Sequence, residues 1–200
     1  MQLGLIGLGK MGGNMTERLR RAGHEVIGYD RSAPTRDVDT LEALVEALPA
    51  PRVVWVMVPS GPPTQQTVRA LGDLLSEGDV IVEGGNSKFT DDQLHDVLLR
   101  EKGIGYIDAG VSGGVWGLEN GYALMVGGTK EDVAKAQPIF DALKPPVQVD
   151  ESGEEHQGDA GFVHAGPVTR SSGTTTTRGS GTSTASRRWS GRSRRPAWCG

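Results

Sequence analysis

Gly7-Leu8-Gly9-Lys10-Met11-Gly12 sets glycine at the spacing G-x-G-x-x-G. That spacing suits a backbone that turns sharply and then comes close to a pyrophosphate. The first glycine permits the tight turn, the second the close approach, and the third close packing of helix on strand. The motif sits between an apolar run, Gln2 to Gly7, and a segment with Met11, Met15, Leu19 and Ala22 at helical spacing. A phosphate there would meet the free N–H groups and the positive dipole end of a helix. Glycine supplies 30 of the 200 residues, so the spacing alone is weak and the strand–turn–helix context carries it. A merely structural glycine turn is the bland alternative.

Further groups stand where such a site needs them. Asp30 lies 18 residues after Gly12, at the end of a second apolar run. An acid there can accept hydrogen bonds from the adenine ribose of NAD and repels the 2′-phosphate of NADP. Arg31 and Ser32 follow at once, and an arginine can pair with that phosphate. The two signals conflict; Asp30 favours NAD, and Arg31 read as a solvated loop charge leaves that preference intact. Val58-Pro59-Ser60 follows a third apolar run and would line the cofactor. Asn86 follows a fourth run, where its amide can bridge the nicotinamide end and a substrate hydroxyl; a turn cap is its bland alternative. Ser112, Gly113 and Gly114 close the segment Ala109–Gly114. Successive N–H groups of a glycine turn beside a hydroxyl suit a carboxylate or hydroxy-acid ligand.

The elements that must position these groups alternate. Strands are expected at Gln2–Gly7, His24–Tyr29, Val53–Val58, Asp79–Val82, Ile104–Asp108 and Tyr122–Val126, with Val147–Val149 as a final edge strand. Helices are expected at Met11–Ala22, from Thr40 through Leu48, from Pro62 to about Ser76, at Thr90–Arg100 and at Glu131–Leu143. This order predicts an α/β fold, a Rossmann-type doubly wound and mostly parallel sheet. Trp55 and Met57 read as core. His24, His95, His156 and His164 read as structural or surface residues, since none has metal-ligand spacing, and no metal is expected.

Composition excludes several classes. The net charge of −4 argues against a strongly basic nucleic-acid binder, and Cys199 alone cannot build a disulfide framework or a multi-cysteine zinc site. No apolar run approaches the roughly 18 residues of a membrane span. Met1–Gly9 has no basic leader region, so a cytoplasmic protein with neither nucleic acid nor membrane as partner is expected. The average charge hides a break. From Gly166 onward there is no Leu, Ile, Asp, Glu or Lys, and seven arginines stand among Ser, Thr and Gly. Residues 1–165 read as the folded domain and 166–200 as a disordered basic tail or an out-of-frame product.

Gly7 to Met15 (GLGKMGGNM), Gly28 to Ser32 (GYDRS), Glu83 to Lys88 (EGGNSK) and Tyr106 to Gly114 (YIDAGVSGG) together resemble 6-phosphogluconate dehydrogenase. Val115 to Gly128 (VWGLENGYALMVGG) resembles its shorter bacterial type. The resemblance covers about residues 1–168. Other β-hydroxyacid dehydrogenases, such as 3-hydroxyisobutyrate dehydrogenase, share the first motif and typically lack the GGNS segment. The resemblance implies oxidation of 6-phosphogluconate by NAD or NADP, then loss of carbon dioxide to give ribulose 5-phosphate. It implies cofactor contacts from Gly7, Leu8, Gly9, Lys10, Met11, Gly12, Asp30, Arg31, Ser32, Val58, Pro59, Ser60 and Asn86. It implies substrate contacts from Asn86, Ser112, Gly113 and Gly114. The family's general base and acid, a lysine and a glutamate, lie in an all-helical second domain that also forms the dimer. Gly166-Pro167-Val168 resembles the start of that segment, and Thr169-Arg170-Ser171-Ser172-Gly173 then departs from it, so the second domain is expected to be missing. Lys88 is the only lysine near the inferred site and reads as a solvated loop residue.

Overall fold

A computed structural model describes residues 1–146, 148–149, 155–156 and 161–168. Five strands run parallel in the order β2-β1-β3-β4-β5: β1 (Gln2–Ile6), β2 (Glu25–Tyr29), β3 (Val53–Val56), β4 (Val80–Glu83) and β5 (Gly105–Ser112). β6 (Ala123–Gly127) pairs antiparallel with β5 and carries the edge strand β9 (Phe162–Gly166) on its other side. The doubly wound, mostly parallel sheet expected from the sequence is therefore the one that forms.

Alternate residues of the central strands feed two separate cores, because strand side chains point to opposite faces in turn. Leu3, Leu5, Trp55, Val82 and Ile107 pack under helices α1 (Lys10–Arg21) and α6 (Lys130–Leu143). Ile6, Val54, Val56, Ile81 and Tyr106 pack under α2 (Leu41–Glu46), α3 (Pro62–Leu74) and α4 (Phe89–Arg100). The unbroken apolar run Val53–Val56 is buried at every position, as a strand covered on both faces must be. Thr40 caps α2 by accepting from the Ala43 N–H, and Thr129 caps α6 by accepting from the Asp132 N–H.

Asp79, fully buried, locks the start of β4 to the start of β3. It accepts from the Arg52 backbone N–H at 2.7 Å, the Ser76 N–H at 2.9 Å and the Arg52 guanidinium at 3.1 Å. Asp79→Ala strands a half-buried guanidinium and two N–H donors. We expect a stability loss of about 3–5 kcal/mol, read as a shift in the urea midpoint with an unchanged slope.

Three expectations are corrected. Gln148–Val149 (β7) does not extend the main sheet; it pairs antiparallel with Glu155–His156 (β8) in a separate ribbon, and Val147 lies outside the described residues. The edge place belongs to β9, a strand hidden in the sequence by its glycine-bounded, partly polar run. The boundary expected at 165/166 accordingly falls inside β9. Val168 is 2 % exposed in the α2–α3–α4 core, so ordered packing continues past that boundary; residues 169–200 lie outside the described ones. Finally, β5 runs on through Ser112, and its ladder with β6 pairs Ala109, Gly110 and Val111 with Val126, Met125 and Leu124. The turn expected over Ala109–Gly114 is thus confined to Gly113 and Gly114, both at positive φ, followed by a 3₁₀ turn (Gly114–Trp116) and α5 (Gly117–Asn120).

Candidate functional site

Because β1 to β5 are parallel, the segments that follow them emerge at one edge of the sheet, where open α/β folds bind ligands. Gly7 to Gly12 follow β1, Asp30 to Ser32 follow β2, Val58 to Ser60 follow β3 and Asn86 follows β4. Ser112 is the last residue of β5, and Gly113 and Gly114 come next.

The glycine loop meets the demands of its motif one residue at a time. Gly7 sits at φ 93°, and a Cβ there would collide with the Met57 carbonyl. A Cβ on Gly12 would collide with the Gly7 carbonyl oxygen, against which the first turn of α1 is pressed. Gly9 is different: it faces open space, with nothing within 4 Å of a Cβ built on it. Gly9 is also the N-cap of α1 and offers no side-chain cap. The first N–H groups of α1 are therefore left for a ligand, no acid stands in the first turn, and Arg18, Arg20 and Arg21 complement the other end of the helix dipole. Lys10 is exposed and Met11 half-buried at this end of the helix.

Asp30 has a task the sequence did not reveal. Its Oδ1 accepts from the Ser32 N–H at 2.8 Å, the Ala33 N–H at 2.9 Å and the Ser32 hydroxyl at 3.3 Å; its Oδ2 accepts from the Leu8 N–H at 2.8 Å. Burial alone would raise its pKa, but the N–H donors of Ser32, Ala33 and Leu8 outweigh it and hold the carboxyl below its ordinary range. Asp30 thus ties the β2 loop to the glycine loop and keeps its charge. Leu8 gives its N–H to that tie and buries its side chain beside Gly28. Asp30→Asn removes the charge and an acceptor oxygen. We expect NAD affinity to fall about tenfold and the NADP-to-NAD ratio to rise, both measured by calorimetric titration.

A cavity of about 430 Å3 opens beside this tie, lined by Gly7, Gly9, Asp30, Arg31, Val58 and Pro59 among others. Its walls come from the ends of β1, β2 and β3 and from α3. Lys10, Met11, Gly12, Ser60, Asn86, Ser112, Gly113 and Gly114 do not line it. A second cavity, about 330 Å3 between α3 and α4, contains none of the binding residues expected from the sequence.

Asn86 is exposed and lies at φ 62°, the left-handed region that asparagine tolerates better than other side chains. Two glycines lead into it. A Cβ on Gly84 would sit 2.7 Å from the Trp55 indole nitrogen, and one on Gly85 would meet the Val58 carbonyl. The GGN segment is therefore the one in which backbone passes closely over Trp55 and Val58 before turning outward.

Beneath that loop lies a group that sequence reasoning missed. Glu83, Asp92 and Asp108 are buried with carboxylate oxygens within 4.8 Å of one another. Burial, then the charge of Asp92, pushes Glu83 up to about 7; burial, then Asp92 and Glu83, pushes Asp108 up to about 7; burial raises Asp92. Tyr106 donates its hydroxyl to Asp92 at 2.9 Å, and burial raises its pKa, keeping the proton in place.

The fold and loop geometry define a dinucleotide-binding α/β domain of the Rossmann type. Likeness to known proteins narrows this class. Residues 2–149 match the model of the NAD binding domain of 6-phosphogluconate dehydrogenase, and the chain belongs to that family. The NAD(+)-dependent, decarboxylating 6-phosphogluconate dehydrogenase of Haloferax volcanii is 38% identical over 174 residues, which are 82% of this chain and 56% of that protein. The Bacillus subtilis enzyme of the same description is 36% identical over 161 residues, 72% of this chain and 34% of that protein. Among solved structures, Mycobacterium tuberculosis 3-hydroxyisobutyrate dehydrogenase with L-serine superposes with a TM-score of 0.68 at 27% identity, over 85% of this chain and 56% of that one. The chain thus spans about half the length, or less, of the relatives it matches. Among the described residues no helix is long and apolar enough to cross a membrane.

Proposed function

We propose that residues 1–168 form the nucleotide-binding domain of an NAD-dependent oxidoreductase whose substrate is 6-phosphogluconate. The observation that carries the reading is the glycine loop. Gly12 packs against Gly7, Gly9 is left open, and the free N–H groups of α1 stand beside a cavity bounded by Asp30. The residues fit a dinucleotide. The N–H groups of the first turn of α1 would hold the pyrophosphate, Asp30 and Ser32 the adenine ribose, and Val58 and Pro59 would form the wall, with Ser60 next to them outside the cavity lining. Asn86 would supply its amide to the nicotinamide end, and Ser112, Gly113 and Gly114 would offer a hydroxyl and N–H groups to an acidic substrate. A bound nicotinamide would supply hydride-transfer chemistry at this end of the site.

NAD is preferred over NADP because Asp30 stays ionised at the ribose end, where a 2′-phosphate would be repelled. Two relatives that carry NAD(+)-dependent names support this choice. Arg31, exposed on the cavity wall, is the residue through which NADP would bind if the preference were reversed.

A second reading, a nucleotide-binding module that does no chemistry, is favoured by the cavity itself, which is lined by residues expected to hold nucleotide and by none of Asn86, Ser112, Gly113 and Gly114. One experiment separates the two. Calorimetric titration with NAD and NADP, followed by absorbance assays with 6-phosphogluconate and with 3-hydroxyisobutyrate, is expected to show NAD binding tighter than about 1 mM. Turnover of 6-phosphogluconate over 3-hydroxyisobutyrate supports the dehydrogenase, and binding without turnover supports the module. No nucleotide binding at that level defeats both.

A further inference from the structure

The buried carboxylates Glu83, Asp92 and Asp108 have no place in the contacts just described. They come from three elements, β4, α4 and β5, and meet directly under the Gly84–Lys88 segment. Among the described residues no lysine or arginine forms an ion pair with any of the three. The charged and titratable groups around them are also accounted for. Asp91, His95 and Asp96 come from α4, Tyr106 from β5 and Arg69 from α3. Arg100 is engaged with Asp96 at 2.7 Å and with Asp132 at 3.5 Å. His95 lies with its Nδ1 3.4 Å from the Tyr106 hydroxyl, and its burial disfavours the cationic form.

Three carboxylates this close and buried, with no lysine or arginine paired to them among the described residues, repel one another too strongly to be all ionised on their own. The hydrogen bonds point the same way. Asp92 Oδ2 and Asp108 Oδ2 are buried with no donor among the described residues, and a buried acceptor without a donor is costly. A proton on a neighbouring carboxyl supplies the missing donor. Glu83 also faces upward: its Oε1 accepts the Gly85 N–H at 2.5 Å. The root of the Asn86 loop is thereby bonded to a member of the trio.

We propose that Glu83, Asp92 and Asp108 are positioning residues that share protons at neutral pH, and that losing those protons releases the Gly84–Lys88 loop and weakens nucleotide binding. The inference rests on the dinucleotide reading for its second half only. With the protons present, Glu83 is held against its neighbours and keeps the Gly85 N–H. With them gone, the Glu83 carboxylate holds the Gly85 N–H more strongly, but its repulsion by Asp92 outweighs that gain and, with Asp108, draws it off the loop. Trp55, packed beneath Gly84, then loses its cover.

Hydrogen–deuterium exchange of the full chain at about pH 6 and about pH 9, corrected for intrinsic exchange, tests the loop directly. Protection of the Gly84–Lys88 amides is expected to fall about tenfold while α1 amides hold theirs, and the dissociation constant for NAD is expected to rise by a similar factor. In Glu83→Gln the amide donates where the shared proton did, and both changes are expected to shrink below about twofold. Asp108→Asn serves as the second variant if Glu83→Gln does not fold. A loop whose protection is the same at both pH values, a loss spread equally over α1, or a variant that declines as the parent does would overturn the proposal. Loop protection restored at high pH by Mg2+ or Mn2+ would also overturn it, by placing a cation where the proton is proposed. A loop that loosens as expected in a chain that binds no nucleotide at any pH would defeat the dinucleotide reading and keep the latch.

Discussion

Gly12→Ala is expected to unfold much of the protein, whereas Gly9→Ala leaves it folded and weakens its hold on nucleotide. The methyl group on residue 12 has nowhere to go: the Gly7 carbonyl occupies its place, and Gly7 is itself pinned under the Met57 backbone. Backbone is the neighbour that cannot yield. The cost should therefore lie at or above the upper end of overpacking effects, about 3 kcal/mol or more, seen as a lower urea midpoint or as loss of soluble protein. At residue 9 a methyl meets nothing, and φ −62° with ψ −170° is open to alanine. The urea midpoint should stay within about 0.5 kcal/mol of the parent. The nucleotide dissociation constant should rise more than about tenfold, since a methyl would occupy the approach of the pyrophosphate. Equal nucleotide affinity in Gly9→Ala and the parent would remove the main support for the site.

The second large effect is on stability against pH. An unfolded chain releases the Glu83 and Asp108 protons near their ordinary values of 4.5 and 3.8, while the folded chain holds them until about 7. Between those limits the folded state binds more protons than the unfolded one, so stability falls as pH rises. The contribution is complete below the ordinary values and is lost as pH climbs through 7. Each tenfold gain in a carboxylate's hold on its proton is worth about 1.4 kcal/mol. The two residues share one set of protons, so the loss from about pH 5 to about pH 8 should be on the order of 3 kcal/mol or more. Asp30 acts in the opposite direction: its lowered pKa gives stability that is present above its ordinary value and lost in acid. Urea unfolding at several pH values should show a maximum near pH 5 in the parent and a flatter alkaline side in Glu83→Gln. A parent whose stability is level from pH 5 to pH 8 would contradict proton retention by these two carboxyls.

Much of the fold was legible because its signals are local. Val53–Val56 announces a doubly covered strand by its unbroken apolar run, and Thr40 announces α2. Gly7, Gly9 and Gly12 are legible because each meets a steric demand that only glycine fits, or leaves a space that only glycine leaves. What was hidden depends on tertiary meetings. Asp30 reaches Leu8 across 22 residues, through the pairing of β1 with β2. Its carboxylate therefore read as a ribose acceptor alone, when it also ties two loops together and keeps only part of its acceptor capacity for a ligand. Glu83, Asp92 and Asp108 sit on three elements, and each alone reads as an ordinary surface acid. The odd feature that could have found them is Glu83 itself, a charged residue ending the apolar run Val80–Val82. β9 was missed because His164 breaks its apolar pattern and Gly161 and Gly166 bound it. Its strand character comes from β6, whose Leu124, Met125 and Val126 it pairs with.

The border of the sheet also governs how the molecule behaves in company. Met125 and Val163 are neighbours across β6 and β9 and are about half exposed, at 43% and 53%. Among the described residues no strand pairs with the outer side of β9. A naked border next to an apolar face is a template for a second molecule. Unfolding within one chain is a first-order event, indifferent to how much protein is present. Joining along such a border is second-order, and its rate climbs with the square of concentration. Dilution, more than cooling, is what should keep this chain dispersed.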